Sequence, residues 1–181
     1  MEINRLDVYP HNFSEKIGYS EVRHLLEEYC ASSLGREEMQ ALEASADKED
    51  IVRALDETRE MITIMAGESP LPSLALVDCR DVLRRIRPQG TFIEEEELLD
   101  LLRMLETLHS LQRFFLEEHT TGERAVETFA YTYPRLASLL EDTPSFPKIE
   151  SHLRSLLTEE GKLRDNASRD LLRIRQTIRE T

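Results

Sequence analysis

The sequence contains no tryptophan, only two cysteines and only six glycines among its 181 residues. Cys30 and Cys79 are 49 residues apart, which excludes a disulfide framework and a zinc knuckle. There is no apolar run of about 18 residues, and the first ten residues lack the basic and apolar parts of a secretion signal. We therefore expect a soluble, cytoplasmic protein in a reducing compartment, without membrane contact.

The glycines are isolated from one another, which excludes two phosphate-binding motifs. A Walker-type loop and a dinucleotide fingerprint both need clustered glycines, because backbone N–H groups must approach the phosphates closely. Each glycine instead lies between periodic apolar segments and predicts a helix end or a turn. We assign Gly35, Gly90 and Gly161 as turn formers. The six positions are Gly18, Gly35, Gly67, Gly90, Gly122 and Gly161.

Charge is abundant but unevenly distributed along the chain. The formal net charge is -13, from 36 acidic and 23 basic residues. Residues 148–181 carry a net charge of +2, whereas residues 1–147 carry -15. Because an acidic surface repels nucleic acid phosphates, we expect weak or no nucleic acid binding by this segment. A solvated acidic surface explains the excess without a ligand.

Apolar residues recur at helical spacing along most of the chain, which predicts an all-α, multi-helix bundle. Ser20 and Asp47 are predicted to cap two helices, each of which carries an apolar stripe. The longest helix is predicted over residues 94–118, where leucines cover a broad face and make it the central packing element. The two stripes are Val22, Leu25, Leu26, Tyr29 and Cys30, and Ile51, Leu55, Thr58, Ile62 and Met65.

The carboxyl-terminal third alternates between helices and turns. Shorter helices are predicted within residues 123–143, with a break at Pro134, and over residues 148–157. The following residues are too polar and too rich in turn formers for a helix, so one short β-hairpin is expected near 157–166. Ser168 is predicted to cap a further helix, which shows no stop signal before the sequence ends.

Two Glu-x-x-His pairs are the sharpest candidates for chemistry. Glu21/His24 and Glu106/His109 have the spacing found in four-helix di-metal carboxylate proteins. Such pairs are common by chance in a sequence rich in glutamate, and His24 lies off the apolar stripe of its helix. A di-metal carboxylate bundle is therefore the least favoured hypothesis, and no metal-binding residue is assigned.

A Cys–His nucleophilic site is also disfavoured. His24 and Cys30 are six residues apart and lie on different faces of one helix. Cys30 is expected to be a small buried hydrophobe. The other histidines, His11, His119 and His152, have no compelling partner and are expected at the surface. No catalytic or cofactor-binding residue is assigned.

Three separated stretches carry a resemblance to a known family. They are Ser32–Glu37; then Leu71-Pro72, Asp78–Leu83, Gly90–Ile93 and Glu97–Leu99; and finally Glu160–Leu171. In this order they resemble the amino-terminal region of the MutS type II family, the bacterial relatives of the mismatch-repair clamp. The third stretch is the most specific of the three. In the family, the similar element precedes a long lever helix. Cys79 and Phe92 depart from the family pattern, and residues 119–147 match nothing in it.

The resemblance implies a segment of a longer homodimeric ATPase that carries a carboxyl-terminal Smr endonuclease module. ATP and Mg would then bind in other parts of the parent, and this segment would be non-catalytic. Residues 1–147 would form a helical core domain, and residues 148–181 the hairpin and the beginning of the lever helix. Family members act on branched or recombining DNA and suppress homologous recombination, and some act on collided ribosomes. DNA and the ribosome are therefore the implied partners of the parent.

A second hypothesis comes from a different functional class. The chain could be a freestanding helical interaction or regulatory module, whose acidic surface meets a basic partner. The complete open reading frame of the gene distinguishes the two hypotheses, because only the first requires a glycine-rich phosphate-binding loop further along the gene.

Overall fold

A computed structural model describes residues 12–67, 71–120 and 126–179, which form the predicted all-α fold. None of the helices within these ranges combines the length and the apolar character that crossing a membrane requires. The elements are α1 (Phe13–Lys16), α2 (Tyr19–Glu28), α3 (Ser33–Ala41), α4 (Lys48–Ala66), α5 (Arg80–Arg85), α6 (Glu95–Leu116), β1 (Glu118–Thr120), β2 (Val126–Thr128), α7 (Phe129–Thr132), α8 (Pro134–Glu141), α9 (Pro147–Leu156) and α10 (Arg169–Arg179).

Two predicted helix caps are confirmed. The Oδ1 atom of Asp47 accepts hydrogen bonds from the backbone N–H groups of Glu49 at 2.8 Å and Asp50 at 3.2 Å. At the start of α10, Ser168 Oγ accepts a hydrogen bond from the Leu171 N–H at 3.1 Å. Both side chains satisfy N–H groups that have no partner within the first turn of a helix.

Two other predicted boundaries were wrong. Helix α2 begins at Tyr19 rather than after Ser20, because Gly18 supplies the left-handed conformation, with φ of 74°, at the helix start. Helix α3 begins before Gly35, since Ser32 Oγ accepts a hydrogen bond from the Gly35 N–H at 3.0 Å. Gly35 therefore lies in the first turn of a helix and does not form a turn between helices.

Packing divides the described residues into two compact units. Unit 1 comprises the described residues of 1–71 and 114–142, and unit 2 comprises those of 72–113 and 143–181. These limits differ from the boundary expected at residue 147. The assignment of a core domain and a lever helix remains a prediction about the parent protein.

Unit 2 has an apolar core built around α6. Three leucines of this helix pack with α9 and with the segment before α5, and partly buried side chains such as Val77 and Met104 cover them. The predicted role of α6 as a central packing element is confirmed in this unit. The buried residues are Cys79, Leu101, Leu102, Leu105, Leu153 and Leu157.

The hairpin predicted near 157–166 is present as a tight turn that closes this core. Leu157 and Leu163 form an isolated antiparallel bridge. Between them, Gly161 adopts φ of 78°, and a Cβ atom at this position would overlap the side chain of Leu99. Glycine is therefore required here both by the backbone conformation and by the close approach to α6.

In unit 1, α4 packs against α8 through one side only. Ile64 of α4 is 2% exposed, and Leu136 and Ala137 of α8 are buried. The Glu60 carboxylate accepts hydrogen bonds from the backbone N–H groups of Arg135 at 3.1 Å and Leu136 at 2.9 Å. A side chain of α4 thus caps the amino terminus of α8.

The two predicted apolar stripes are largely exposed in the structure. In α4, Leu55 is 58%, Ile62 61% and Met65 77% exposed. In the other stripe, Leu25 of α2 is 55% exposed and Tyr29, directly after α2, is 85% exposed. Hydrophobic periodicity identifies an apolar face but does not identify what covers it.

The stretch that matched no family pattern contains an unpredicted ribbon. Strands β1 and β2 pair antiparallel, with Glu118 opposite Thr128. The short helices α7 and α8 follow, and Pro134 occupies the first turn of α8, where its missing N–H is not needed. The predicted helix break at this proline is confirmed.

Candidate functional site

An open cleft of about 510 Å³ lies in unit 2 between α6, α9 and residues 73–75. Four charged or titratable side chains meet there. The Arg154 Nη2 atom lies 2.6 Å from Glu106 Oε1 and 2.9 Å from Glu150 Oε1. The His109 Nδ1 atom lies 2.9 Å from Glu150 Oε2. One α9 carboxylate thus binds both a cation of its own helix and a histidine of α6.

This network joins helices and does not present a nucleophile. Both carboxylates are engaged by Arg154, whose side chain is 62% exposed, whereas that of Glu150 is only 12% exposed. Exposed ion pairs each contribute between about 0 and 1 kcal/mol, so the network holds the register of α6 and α9 more than it stabilises the fold. Its arrangement suits a structural clamp.

Of the two Glu-x-x-His pairs, only the second has both of its members at the same cleft. Glu106 and His109 line the same cleft, although each contacts α9 rather than the other. The His24 side chain is 75% exposed, and its Nδ1 atom lies 4.0 Å from Glu27 rather than near Glu21. Across the described residues, no three His, Cys, Asp or Glu side chains are arranged to hold a metal ion.

Neither cysteine has the surroundings of a nucleophile. Burial raises the pKa of the Cys79 thiol, and the negative charges of Asp100 and Asp78 raise it further. This thiol is therefore protonated at neutral pH and is a poor nucleophile. Cys30 is half-buried rather than fully buried as predicted, and its Sγ lies 3.5 Å from the Leu26 carbonyl oxygen.

The remaining histidines add no site. His152 is exposed on α9, as predicted. His11 and the side chain of His119 lie outside the part of the chain that the structure describes. Sequence reasoning missed Glu150 and Arg154, although their spacing of four residues on one amphipathic helix is the signal of an ion pair.

The second family-like stretch forms two helix starts. The Asp78 carboxylate accepts hydrogen bonds from Arg80 Nη2 at 2.6 Å and from the Arg80 backbone N–H at 3.0 Å. The side-chain bond and then the backbone bond lower the pKa of Asp78 from 3.8 to about 2. This carboxylate stays ionised over the physiological range and fixes the start of α5.

The start of α6 is fixed in a related way. The Glu97 carboxylate accepts a hydrogen bond from the Glu94 backbone N–H at 3.0 Å and another from Arg85 of α5. The first of these bonds, followed by the second, lowers the pKa of Glu97. Arg85 also donates to the carbonyl oxygen of Phe92 at 3.0 Å, which ties α5 to the loop before α6.

The third family-like stretch orients α10. The Asp165 carboxylate accepts hydrogen bonds from Arg175 and, at 2.7 Å, from Arg179. The hydrogen bond from Arg175 is the main cause of the lowered pKa of Asp165, and the positive charge of Arg179 adds to it. Since Asp165 lies in the hairpin, it holds two turns of α10 against that hairpin.

The motif residues therefore lie at joints between elements, where carboxylates, a serine and a glycine fix the starts of helices and the hairpin turn. The fold and these joints define a class, an all-α protein in which side chains fix the starts of several helices. No protein-family model matches the chain, and no solved structure gives a significant match.

Curated proteins give a more specific relationship. The endonuclease MutS2 of Finegoldia magna is 26% identical over 162 residues, which cover 90% of this chain and 20% of that protein. The endonuclease MutS2 of Alkaliphilus oremlandii is 29% identical over 160 residues, covering 88% of this chain and 19% of that protein. The endonuclease MutS2 of Geobacillus sp. strain WCH70 is 26% identical over 163 residues, which cover 90% of this chain and 20% of that protein.

The chain is thus related to the MutS type II family, as its three motif stretches predicted. It spans about a fifth of the length of the curated relatives that it matches.

Proposed function

We propose that this chain is a non-catalytic helical core and lever segment of a MutS type II protein. The observation that carries the proposal is the extent of the similarity: nine tenths of this chain align with only a fifth of proteins named endonuclease MutS2. In this proposal the ATP-hydrolysing and DNA-cleaving parts, with their ATP and Mg, lie elsewhere in the parent.

The proposed role is mechanical. Helix α6 has 22 residues and therefore extends for about 33 Å. Its leucines are packed in the core of unit 2, and a packed helix moves as a rigid element. Helix α10 is held to the hairpin by Asp165, so a movement of the hairpin is passed to this helix. Such elements transmit displacement between distant sites.

The proposed target of the parent is branched or recombining DNA, and the name of the relatives, endonuclease MutS2, is consistent with a protein that acts on nucleic acid. The net charge of -13 makes this segment itself a poor DNA ligand, so the parent would hold DNA through other parts. We further propose that the parent acts as a homodimer. Collided ribosomes are the alternative target that the same family relationship implies.

A segment exchange tests the proposal. The matching segment of the Alkaliphilus oremlandii relative is replaced by this chain, and cleavage of a branched DNA is measured. We expect the chimera to retain cleavage, and we expect Asp165→Ala in the chimera to reduce it because α10 loses its anchor. A chimera that folds and dimerises but does not cleave DNA, with or without ATP, would contradict the proposal.

The exposed apolar faces of α2 and α4 favour a second candidate, a freestanding interaction module. The gene distinguishes the two. A glycine-rich phosphate-binding loop encoded in the same reading frame supports the MutS type II segment, whereas a stop codon directly after the Thr181 codon supports the module. In either case we expect no ATP hydrolysis by the isolated chain above a buffer control.

A further inference from the structure

Helix α4 presents an apolar seam that stays exposed among the residues of unit 1 that the structure describes. The side of α4 that carries Glu60 and Ile64 packs against α8. The opposite side carries large apolar side chains that are 40–77% exposed. Exposed apolar patches of this kind mark interaction surfaces. The seam consists of Ile51, Leu55, Thr58, Ile62 and Met65.

The spacing of the seam indicates what kind of surface would cover it. Its residues are separated alternately by four and by three positions, which is the a/d pattern of a heptad repeat. The pattern extends from Ile51 to Met65, within the 19 residues of α4. In a seam with a period of 3.5 residues, each side chain can insert into a hole between four side chains of a facing helix. An α-helix therefore fits this seam better than a sheet or a loop.

The charges beside the seam indicate the chemistry of that helix. Arg59 lies at an e position beside the seam, and Lys48 lies at the a position one step before Ile51. The Arg59 side chain is 74% exposed although its Nη1 atom lies 2.9 Å from Asp56 Oδ1. No acidic residue occupies an a, d, e or g position between residues 48 and 66. The acidic residues of α4 occupy the other heptad positions; they are Glu49, Asp50, Asp56, Glu57 and Glu60.

We propose that α4 is a docking site for a single amphipathic α-helix of a partner, with an apolar seam flanked by glutamate or aspartate. Acidic flanks complement two positive side chains: Arg59, at one of the e and g positions that set partner choice in paired helices, and Lys48, at the a position where the repeat begins. A second copy of α4 matches less well, because it would bring the same positive flanks without an acidic counterpart. This inference goes beyond the proposed function and does not depend on it.

The experiment uses the whole chain and two synthetic model helices. Both helices carry leucine at every a and d position over three heptads; one carries glutamate and the other lysine at the e and g positions. Each is labelled with a fluorophore, and its binding is measured by anisotropy at about 150 mM salt, where long-range repulsion by the acidic body is screened. We expect the glutamate helix to bind more tightly than the lysine helix.

Two adjacent residues give a matched pair of variants. Ile62→Glu places a charge in the seam, whereas Thr63→Glu places the same charge on an exposed position beside it. Both positions are exposed, so both variants should fold. We expect Ile62→Glu to weaken binding of the glutamate helix by about tenfold or more, and Thr63→Glu by less than about threefold.

A charge reversal tests the chemistry of the flanks. Arg59→Glu should reduce the preference for the glutamate helix or shift it to the lysine helix. Equal binding of both helices by the unaltered chain, or equal effects of Ile62→Glu and Thr63→Glu, would overturn the proposal. So would sedimentation showing that the chain dimerises through this seam, with Ile62→Glu restoring the monomer.

Discussion

The two units use apolar residues in opposite ways. In unit 2, the leucines of α6 are buried among α9, the hairpin and the segment before α5. In unit 1, the apolar stripes of α2 and α4 face outward, and a carboxylate and a single fully buried isoleucine mark the packed side of α4. Similar amphipathic patterns thus produce a closed core in one unit and exposed faces in the other.

This difference shows that an amphipathic helix specifies a face, but the surrounding elements decide whether that face becomes a core. Helix α6 meets several elements that arrive from distant parts of the sequence. Helix α4 meets α8 on the side where Glu60 and Ile64 lie, and its longer apolar seam is exposed among the described residues of that unit.

A leucine truncation in each unit should give the largest difference in the free energy of unfolding between the two units. Leu102→Ala removes a side chain that is 6% exposed and should lower the free energy of unfolding by about 2–5 kcal/mol. Leu55→Ala removes one that is 58% exposed and should change it by less than about 0.5 kcal/mol. Urea denaturation followed by circular dichroism measures both. Equal losses would mean that the seam of α4 is already covered.

A pair of glycine substitutions probes how tightly unit 2 is closed. Gly161→Ala should cost about 1–3 kcal/mol, because φ is 78° and the new methyl group overlaps Leu99. Gly90→Ala should cost about 1 kcal/mol, since φ is 88° but no atom lies within 4 Å of the added Cβ. Thermal unfolding compares them. A smaller effect at Gly161 would argue against the close contact between hairpin and α6.

In unit 1, a substitution at Glu60 tests the side-chain cap that joins α4 to α8. Glu60→Ala leaves two N–H groups of α8 without their acceptor and should cost about 0.5–2 kcal/mol. Glu57→Ala on the same helix serves as the control. Hydrogen exchange of the Leu136 amide reports the change directly, and unaltered protection in Glu60→Ala would exclude the capping role.

The smallest expected effect concerns a joint of unit 2. Arg80→Ala should raise the pKa of Asp78 from about 2 toward 3.8, because the main bond that favours the carboxylate is lost. Since the folded-state pKa is depressed, the stabilisation is present above 3.8 and disappears as the pH falls toward about 2. A carboxyl NMR titration measures the shift, with Arg36→Ala as the control. An unchanged titration would mean that Arg80 does not bind this group in solution.

Local features were predictable from the sequence because they depend on near neighbours. The caps at Asp47 and Ser168, the turn at Gly161 and the hairpin all follow from residue types and spacing. The outward stripes were not predictable, because burial depends on elements far away in the sequence. The carboxylate of Glu60 capping α8 illustrates this, since its hydrogen-bond partners lie 75 and 76 residues further along.

The same long separation bears on how the chain is made. Helix α4 leaves the ribosome before its packing partner α8, and the roughly 70 intervening residues take about 3–14 s to translate. During that interval Ile64 and Glu60 have no α8 to contact, so both sides of α4 are open at once. Nascent α4 should consequently be a binding site for chaperones, which would release it when α8 emerges.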